Sequence, residues 1–177
     1  MIDDIDPFEA FRLPGQDVTH PATIAHRLMK HQVHQHLGDN EVRFGWLMRL
    51  DQKDKGGKME LGSVHAVKNM AQGAFKDLFM QLLAGMLGDL PEFVIVLDAG
   101  WWQQASDMQR EALIWHELAH VRQALDKYGA PRFDKDGLPV WALVEHDITA
   151  FNSEVERYGA WTPDIAGFIK AATAAGA

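Results

Sequence analysis

The chain has 177 residues, 47% of them hydrophobic and 24% charged, which is enough apolar material to bury a core and places it outside the disordered and fibrous classes. Its formal net charge is −8 and no Lys/Arg cluster falls on a predicted helix, so a nucleic-acid partner, which needs concentrated positive charge, is not expected. Cysteine is absent, so disulfides and thiolate ligands are excluded and any metal site has to be built from His, Asp and Glu.

The acidic start Met1-Ile2-Asp3-Asp4-Ile5-Asp6 lacks the basic and apolar regions of a secretory signal. The longest apolar runs, 78–87 and 93–97, fall short of the roughly 20 residues that span a bilayer. The expectation is a cytoplasmic protein without a membrane partner. Residues 1–17 read as an extended lead-in, interrupted by Pro7, Pro14 and Gly15 with Phe8 and Phe11 as possible anchors, and 18–177 as a single domain.

Apolar spacing by Ile24, Leu28 and Val33 predicts a first helix over 21–37, stopped near Gly38. Two β-like stretches follow, 41–50 and 58–67, and the polar, turn-forming connection 51–57 predicts that they pair as a hairpin. Ala74, Leu78, Leu82 and Met86 recur at helical spacing in 69–87, ahead of Gly88. The continuous apolar run 93–97 predicts a strand packed on both faces. Ser106-Asp107-Met108-Gln109 is a capping-box pattern that should start a long helix ending near Tyr128-Gly129. Pro139 fits the first position of another helix, 139–158, and a last helix is expected over 163–174. The sum is an α+β fold with a small sheet and no internal repeat.

The chemistry is concentrated in His116-Glu117-Leu118-Ala119-His120. Residues four apart on a helix share a face, so the two imidazoles can be aimed at one cation. Glu117 lies about 100° around the axis from His116, close enough for its carboxylate to activate a water at the metal. Zinc (Zn2+) lowers the pKa of bound water toward about 7, and a neighbouring carboxylate can take that proton during attack on a carbonyl and pass it to the leaving amine. Glu117 is therefore the candidate catalytic base, and a peptide or protein the expected substrate.

A catalytic zinc normally takes three protein ligands, and Val121-Arg122-Gln123-Ala124 carries no further His. The third has to come from a later element. His146 is the one downstream histidine and the favoured candidate, with Glu145, Asp147 and Glu154 as carboxylate rivals. Asp147 fits better as a group that orients a ligand or the water, and Tyr158 could donate to the oxyanion that forms on a substrate carbonyl.

These residues resemble the zincin-like phage metallopeptidase domains. The resemblance rests on Phe93-Val94-Ile95-Val96, on Gln109-Arg110-Glu111-Ala112-Leu113 leading into His116-Glu117-Leu118-Ala119-His120-Val121, and on His146-Asp147 followed by Phe151 and Arg157-Tyr158-Gly159. It covers about residues 40–162. It implies a compact zinc peptidase-like fold of phage or prophage origin, hence action in the host cytoplasm, with His146 matching the family's downstream histidine. It also implies that an extended peptide lies along a strand edge beside the metal, for which 93–97 is the candidate. A zinc-stabilised structural or interaction protein, such as a virion component, and a metal hydrolase acting on another bond are the competing readings.

Other signals are weaker. His26, His31, His34 and His36 could suggest a second metal site but fit a polar helix face better, and His65 reads as structural within a strand. Trp101, Trp102, Trp115, Trp141, Phe151 and Trp161 read as core or pocket walls.

Overall fold

The computed structural model describes residues 10–16, 20–51, 54–55, 58–146 and 150–174. The chain opens with β1 (Phe11–Arg12), α1 (Pro21–Leu28), α2 (Gln35–Asp39) and β2 (Phe44–Arg49). A two-stranded ribbon, β3 (Asp54–Lys55) and β4 (Lys58–Met59), precedes β5 (Gly62–Ala66), α3 (Lys76–Leu87) and β6 (Phe93–Asp98). Then come α4 (Ala99–Gln104), α5 (Asp107–Ala119), β7 (Val121–Gln123), β8 (Trp141–Leu143), α6 (Asn152–Tyr158) and α7 (Pro163–Ala174).

The main sheet has the order β1-β2-β6-β5. All six residues of β6 are buried, and the apolar five, 93–97, alternate between two cores, as their unbroken apolar sequence requires. Phe93, Ile95 and Leu97 join the core formed with α1 and α5, whereas Val94 and Val96 meet Leu83 and Leu87 of α3 on the opposite face. Helices therefore cover both sides of an α+β sheet, with α5 beneath it. Among the described residues, no helix is long and apolar enough to cross a membrane.

The central place of β6 overturns the expected hairpin. β2 runs parallel to β6 and β5 antiparallel to it, so β6 lies between the two stretches that the turn-rich connection seemed to join. The physical reason is burial: an all-apolar strand needs a neighbour on each edge, and the shorter, more polar β5 takes the rim. Within that connection Asp54 and Lys55 instead pair with Met59 and Lys58 in the small β3–β4 ribbon. The strand 93–97 is consequently no edge on which a peptide could add. The lead-in contributes β1, which pairs with β2, and Phe11 is exposed on it; Phe8 lies outside the described residues.

The first helix is divided. Leu28 and Leu37 are nine residues apart, which in one continuous helix would put them on opposite faces, yet both are buried, at 2% and 0% exposure. Breaking the helix between α1 and α2 lets both enter the core.

The helix expected to reach Tyr128 ends at Ala119, with His120 as its C-cap. Val121, wholly buried, begins a strand paired with β8, and the arm between β7 and β8 folds back through two turns. In these turns Asp126 and Asp134 each accept two backbone N–H groups, and Gly129 and Gly137 take φ of 81° and 80°. Within the segment expected to be helical over 139–158, the described residues form a strand at Trp141–Leu143 and a helix at Asn152–Tyr158, so His146 follows a strand and does not sit on a helix.

The start of α5 is as its sequence specifies. The Ser106 hydroxyl accepts from the Gln109 N–H at 3.3 Å, and the Gln109 side chain accepts from the Ser106 N–H at 2.9 Å. Ser106→Ala should cost about 1 kcal/mol. Thermal denaturation should show a midpoint about 2–4 °C lower for a chain of this size, and an unchanged midpoint would contradict the cap.

Candidate metal centre

His116 lies in the last turn of α5, and His120 closes that helix. The β7–β8 ribbon then returns the chain to the same end of α5, where Val144 N–H donates to His120 O at 2.8 Å and His146 follows two residues later. One ring nitrogen from each of His116, His120 and His146 lies within 4.8 Å of the others, an arrangement that could hold a metal ion. Phe151 presents its ring edge-on to all three imidazoles, with centroids 5.4, 4.8 and 5.3 Å away.

Hydrogen bonds behind two of the rings fix their tautomers. His120 Nδ1 lies 2.7 Å from the Val144 carbonyl oxygen. A carbonyl can only accept, so Nδ1 carries the proton and Nε2 keeps a lone pair. His116 Nδ1 lies 2.6 Å from the Glu154 carboxylate, which imposes the same tautomer on the neutral ring. His116 Nε2 faces His146 Nε2 at 2.9 Å. Nitrogens drawn this close suit a shared cation, and the donor set, imidazoles without thiolate, suits a divalent transition metal.

Electrostatics differ between the two helix histidines. Burial works against charge on His116, but the bond to Glu154 and the nearby Glu117 outweigh it and raise its pKa. For His120 burial is again the largest influence and prevails, with His116 and His146 adding to the lowering while the bond to Val144 opposes it.

Glu117 is 2% exposed, and its Oε2 is buried with no hydrogen-bond partner. Burial pushes the carboxyl up to about 7; His116 pulls it down, and Glu60 and Glu154 add to the rise. Gly62 of β5 makes the space for it, since a Cβ there would lie 2.4 Å from Glu117 Oε1. β5 thus passes directly over the carboxylate, and it is also an edge strand of the sheet, opposite β1. Leu61 O accepts from Asp98 N–H and Val67 N–H donates to Glu92 O. The antiparallel ladder alternates, so Ser63 and His65 direct their main-chain groups at β6, while Gly62, Val64 and Ala66 direct theirs outward.

Glu154 is the site residue whose place the sequence did not reveal. It was a rival ligand; here it is completely buried, bonded to His116 Nδ1 and to Trp161 Nε1 at 3.2 Å, so it orients a candidate ligand from behind. A signal was present: Phe151, Tyr158 and Trp161 flank Glu154 at helical spacing, marking a carboxylate on an apolar stripe. Glu145 is exposed beside His146, and Asp147 lies outside the described residues. Tyr158 is not brought to the histidines; its hydroxyl donates to Glu111 at 2.9 Å and its ring packs on Trp115.

The N-terminal histidines do not form a polar helix face. His34 is completely buried against Trp115 with neither ring nitrogen bonded, and burial, with His36 and Arg122 nearby, pushes its pKa down to about 3. His31 meets the same Trp115 ring, and His36 Nε2 sits 3.3 Å from Val121 O. Among the described residues, His26, His31, His34 and His36 do not gather into a group able to hold a metal. His65 sits on β5 with Nε2 3.1 Å from Ser63 Oγ. Trp102, Trp115, Trp141, Phe151 and Trp161 are buried and Trp101 packs against the same core.

Searches of curated proteins and of solved structures found no match to the chain. A family model described as "Putative phage metallopeptidase" matches residues 17–173, which includes every element from α1 to α6 and the three converging histidines. The match runs over nearly the whole sequence, and the chain belongs to this phage metallopeptidase family.

Proposed function

We propose that this protein is a zinc-dependent metallopeptidase that cuts peptide bonds in a polypeptide substrate. His116, His120 and His146 hold the metal and Glu117 is the general base. The observation that carries this reading is the convergence of three imidazoles beside a buried carboxylate oxygen that no other group satisfies. Three neutral imidazoles are a common zinc donor set and leave a fourth tetrahedral position for water. When bound, the cation supplies the Lewis acidity that makes a water nucleophilic near neutral pH.

Glu117 takes the proton of the water that attacks the substrate carbonyl and delivers it to the amine nitrogen as the C–N bond breaks, so the residue ends as it began. Its burial, which raises the pKa in the metal-free protein, favours the protonated form that returns the proton to the leaving amine. Glu154 and the Val144 carbonyl hold the ligand rings in place. The outward main-chain groups of Gly62, Val64 and Ala66 offer an extended peptide a ladder beside Glu117, the role that 93–97 cannot fill.

On a peptide library with zinc present, wild-type protein should cleave and Glu117→Gln should be slower by at least about 100-fold, the scale of general-base catalysis. Equal cleavage by both proteins, or none by either, removes the reading. His146→Ala should lower zinc affinity by several-fold or more in a titration with a chelating indicator, and unchanged affinity would exclude His146 as a ligand.

The metal-free protein offers a separate check on Glu117. Its carboxyl ionises near 4.5 when unfolded and at about 7 when folded, so the folded state binds more protons between these values. The contribution of this group to stability is therefore fully present below about pH 4.5 and is lost as pH rises toward 7, by about 3 kcal/mol. Chelator-treated Glu117→Gln should lack this component, so in denaturant titrations its stability relative to wild type should rise by about 3 kcal/mol from pH 4.5 to 7. A relative stability independent of pH would show that the carboxylate is not desolvated.

A further inference from the structure

The outer edge of β5 leads away from Glu117 to a second feature. Beyond Ala66 it opens on a cavity of about 510 Å³ with apolar walls from Val67, Met80, Leu90, Phe93, Val140 and Trp141. β8 connects the same two places: Trp141 lines the cavity, and Val144, three residues on, anchors His120. Among the described residues β5 pairs only with β6, and β8 only with β7.

Charge at the cavity is unevenly satisfied. Of the two carboxylates on its border, Glu92 accepts from Arg43 N–H and Asp134 from the N–H groups of Asp136 and Leu138. Arg43 is paired with Asp89 and Glu92. Lys68 donates to the Trp141 carbonyl at 3.2 Å, and neither Lys68 nor Lys76 has a carboxylate partner among the described residues. Lys68 and Lys76 thus flank an apolar cavity without an ion-pair partner among the described residues, and with Arg43 they outnumber the carboxylates Glu92 and Asp134 on its border.

We propose that this cavity is a second recognition site for the substrate, taking a large apolar side chain with a carboxylate-bearing residue beside it. The proposal rests on the peptidase reading, because its occupant belongs to the polypeptide that lies along β5. Gly62 stands over Glu117 and Ala66 lines the cavity, four residues on, or about 13 Å at strand spacing. The anchor is therefore about four residues from the bond that is cut. A peptide pairing antiparallel to β5, the more stable arrangement, passes the cavity before it reaches Glu117, which puts the anchor on the amino-terminal side.

The test is cleavage of a mixed library of extended peptides by zinc-loaded protein, with cut sites read by mass spectrometry. Phe, Leu or Trp next to Asp or Glu should be enriched about four positions before the cut. Replacing that apolar residue by Ala in one chosen peptide should lower kcat/KM about tenfold or more. Val140→Trp, which fills the cavity, should raise KM for the anchored peptide with less effect on kcat. Lys68→Glu combined with Lys76→Glu should change the preferred neighbour from acidic to basic.

Absence of any preference at this distance, or a preference untouched by both variants, would overturn the proposal. If wild type cleaves no peptide, or no better than Glu117→Gln, the peptidase reading fails first. The cavity is then judged by binding of a fluorescein-labelled peptide carrying Phe-Glu: loss of binding in Val140→Trp supports it, and equal binding rejects it.

Discussion

The histidine cluster depends on where two Nδ1–H groups find their acceptors. Once His120 donates to Val144 and His116 to Glu154, both Nε2 lone pairs have to point to the same side, whatever the rings would otherwise do. Neither acceptor belongs to the helix that carries the histidines. One is a main-chain carbonyl just after β8 and the other is a side chain of α6, so the aim of the rings is set by tertiary packing. Trp161 secures the remaining oxygen of Glu154, and Phe151 closes the ring edges. The apolar core and the polar centre are thereby one assembly, in which a cavity in the core would also let a ligand turn.

Glu117 shows the opposite condition, a polar atom left without a partner. An unsatisfied buried oxygen costs about 1–3 kcal/mol, and no group among the described residues offsets it. Gly62 enlarges the space for the carboxylate without solvating it. Natural cores rarely keep such an atom without a use for it, and the proton transfer proposed for Glu117 would supply one.

What the sequence disclosed followed from local physics. The capping box of α5, the double-sided burial of β6 and the four-residue spacing of His116 and His120 all follow from neighbours within a turn or two. The errors arose where a distant partner decided the outcome. Turn formers at 51–57 suggested a hairpin, but β6, more than twenty residues downstream of β5, separates its supposed halves. Helical spacing over 21–37 hid a break that only the joint burial of Leu28 and Leu37 demands. Glu154 carried a sign of its burial in its apolar neighbours, yet no local pattern could say that its partner would be His116.

The early end of α5 governs both the histidines and Glu117. Had the helix continued to Tyr128, eight residues at 1.5 Å each would have carried the chain about 12 Å beyond His120. Val144 would then have had no means of receiving the His120 proton, nor His146 of reaching His116. Ending at Ala119 does more than permit the return. The unsatisfied carbonyls of a helix C-terminus carry partial negative charge, and both helix histidines lie within its last turn. A cation among the three rings is favoured by this field, while the same field opposes ionisation of Glu117 and so reinforces the effect of its burial. The stop that sequence patterning placed too late is thus what lets one helix end supply two imidazoles, a poised carboxyl and a potential suited to positive charge.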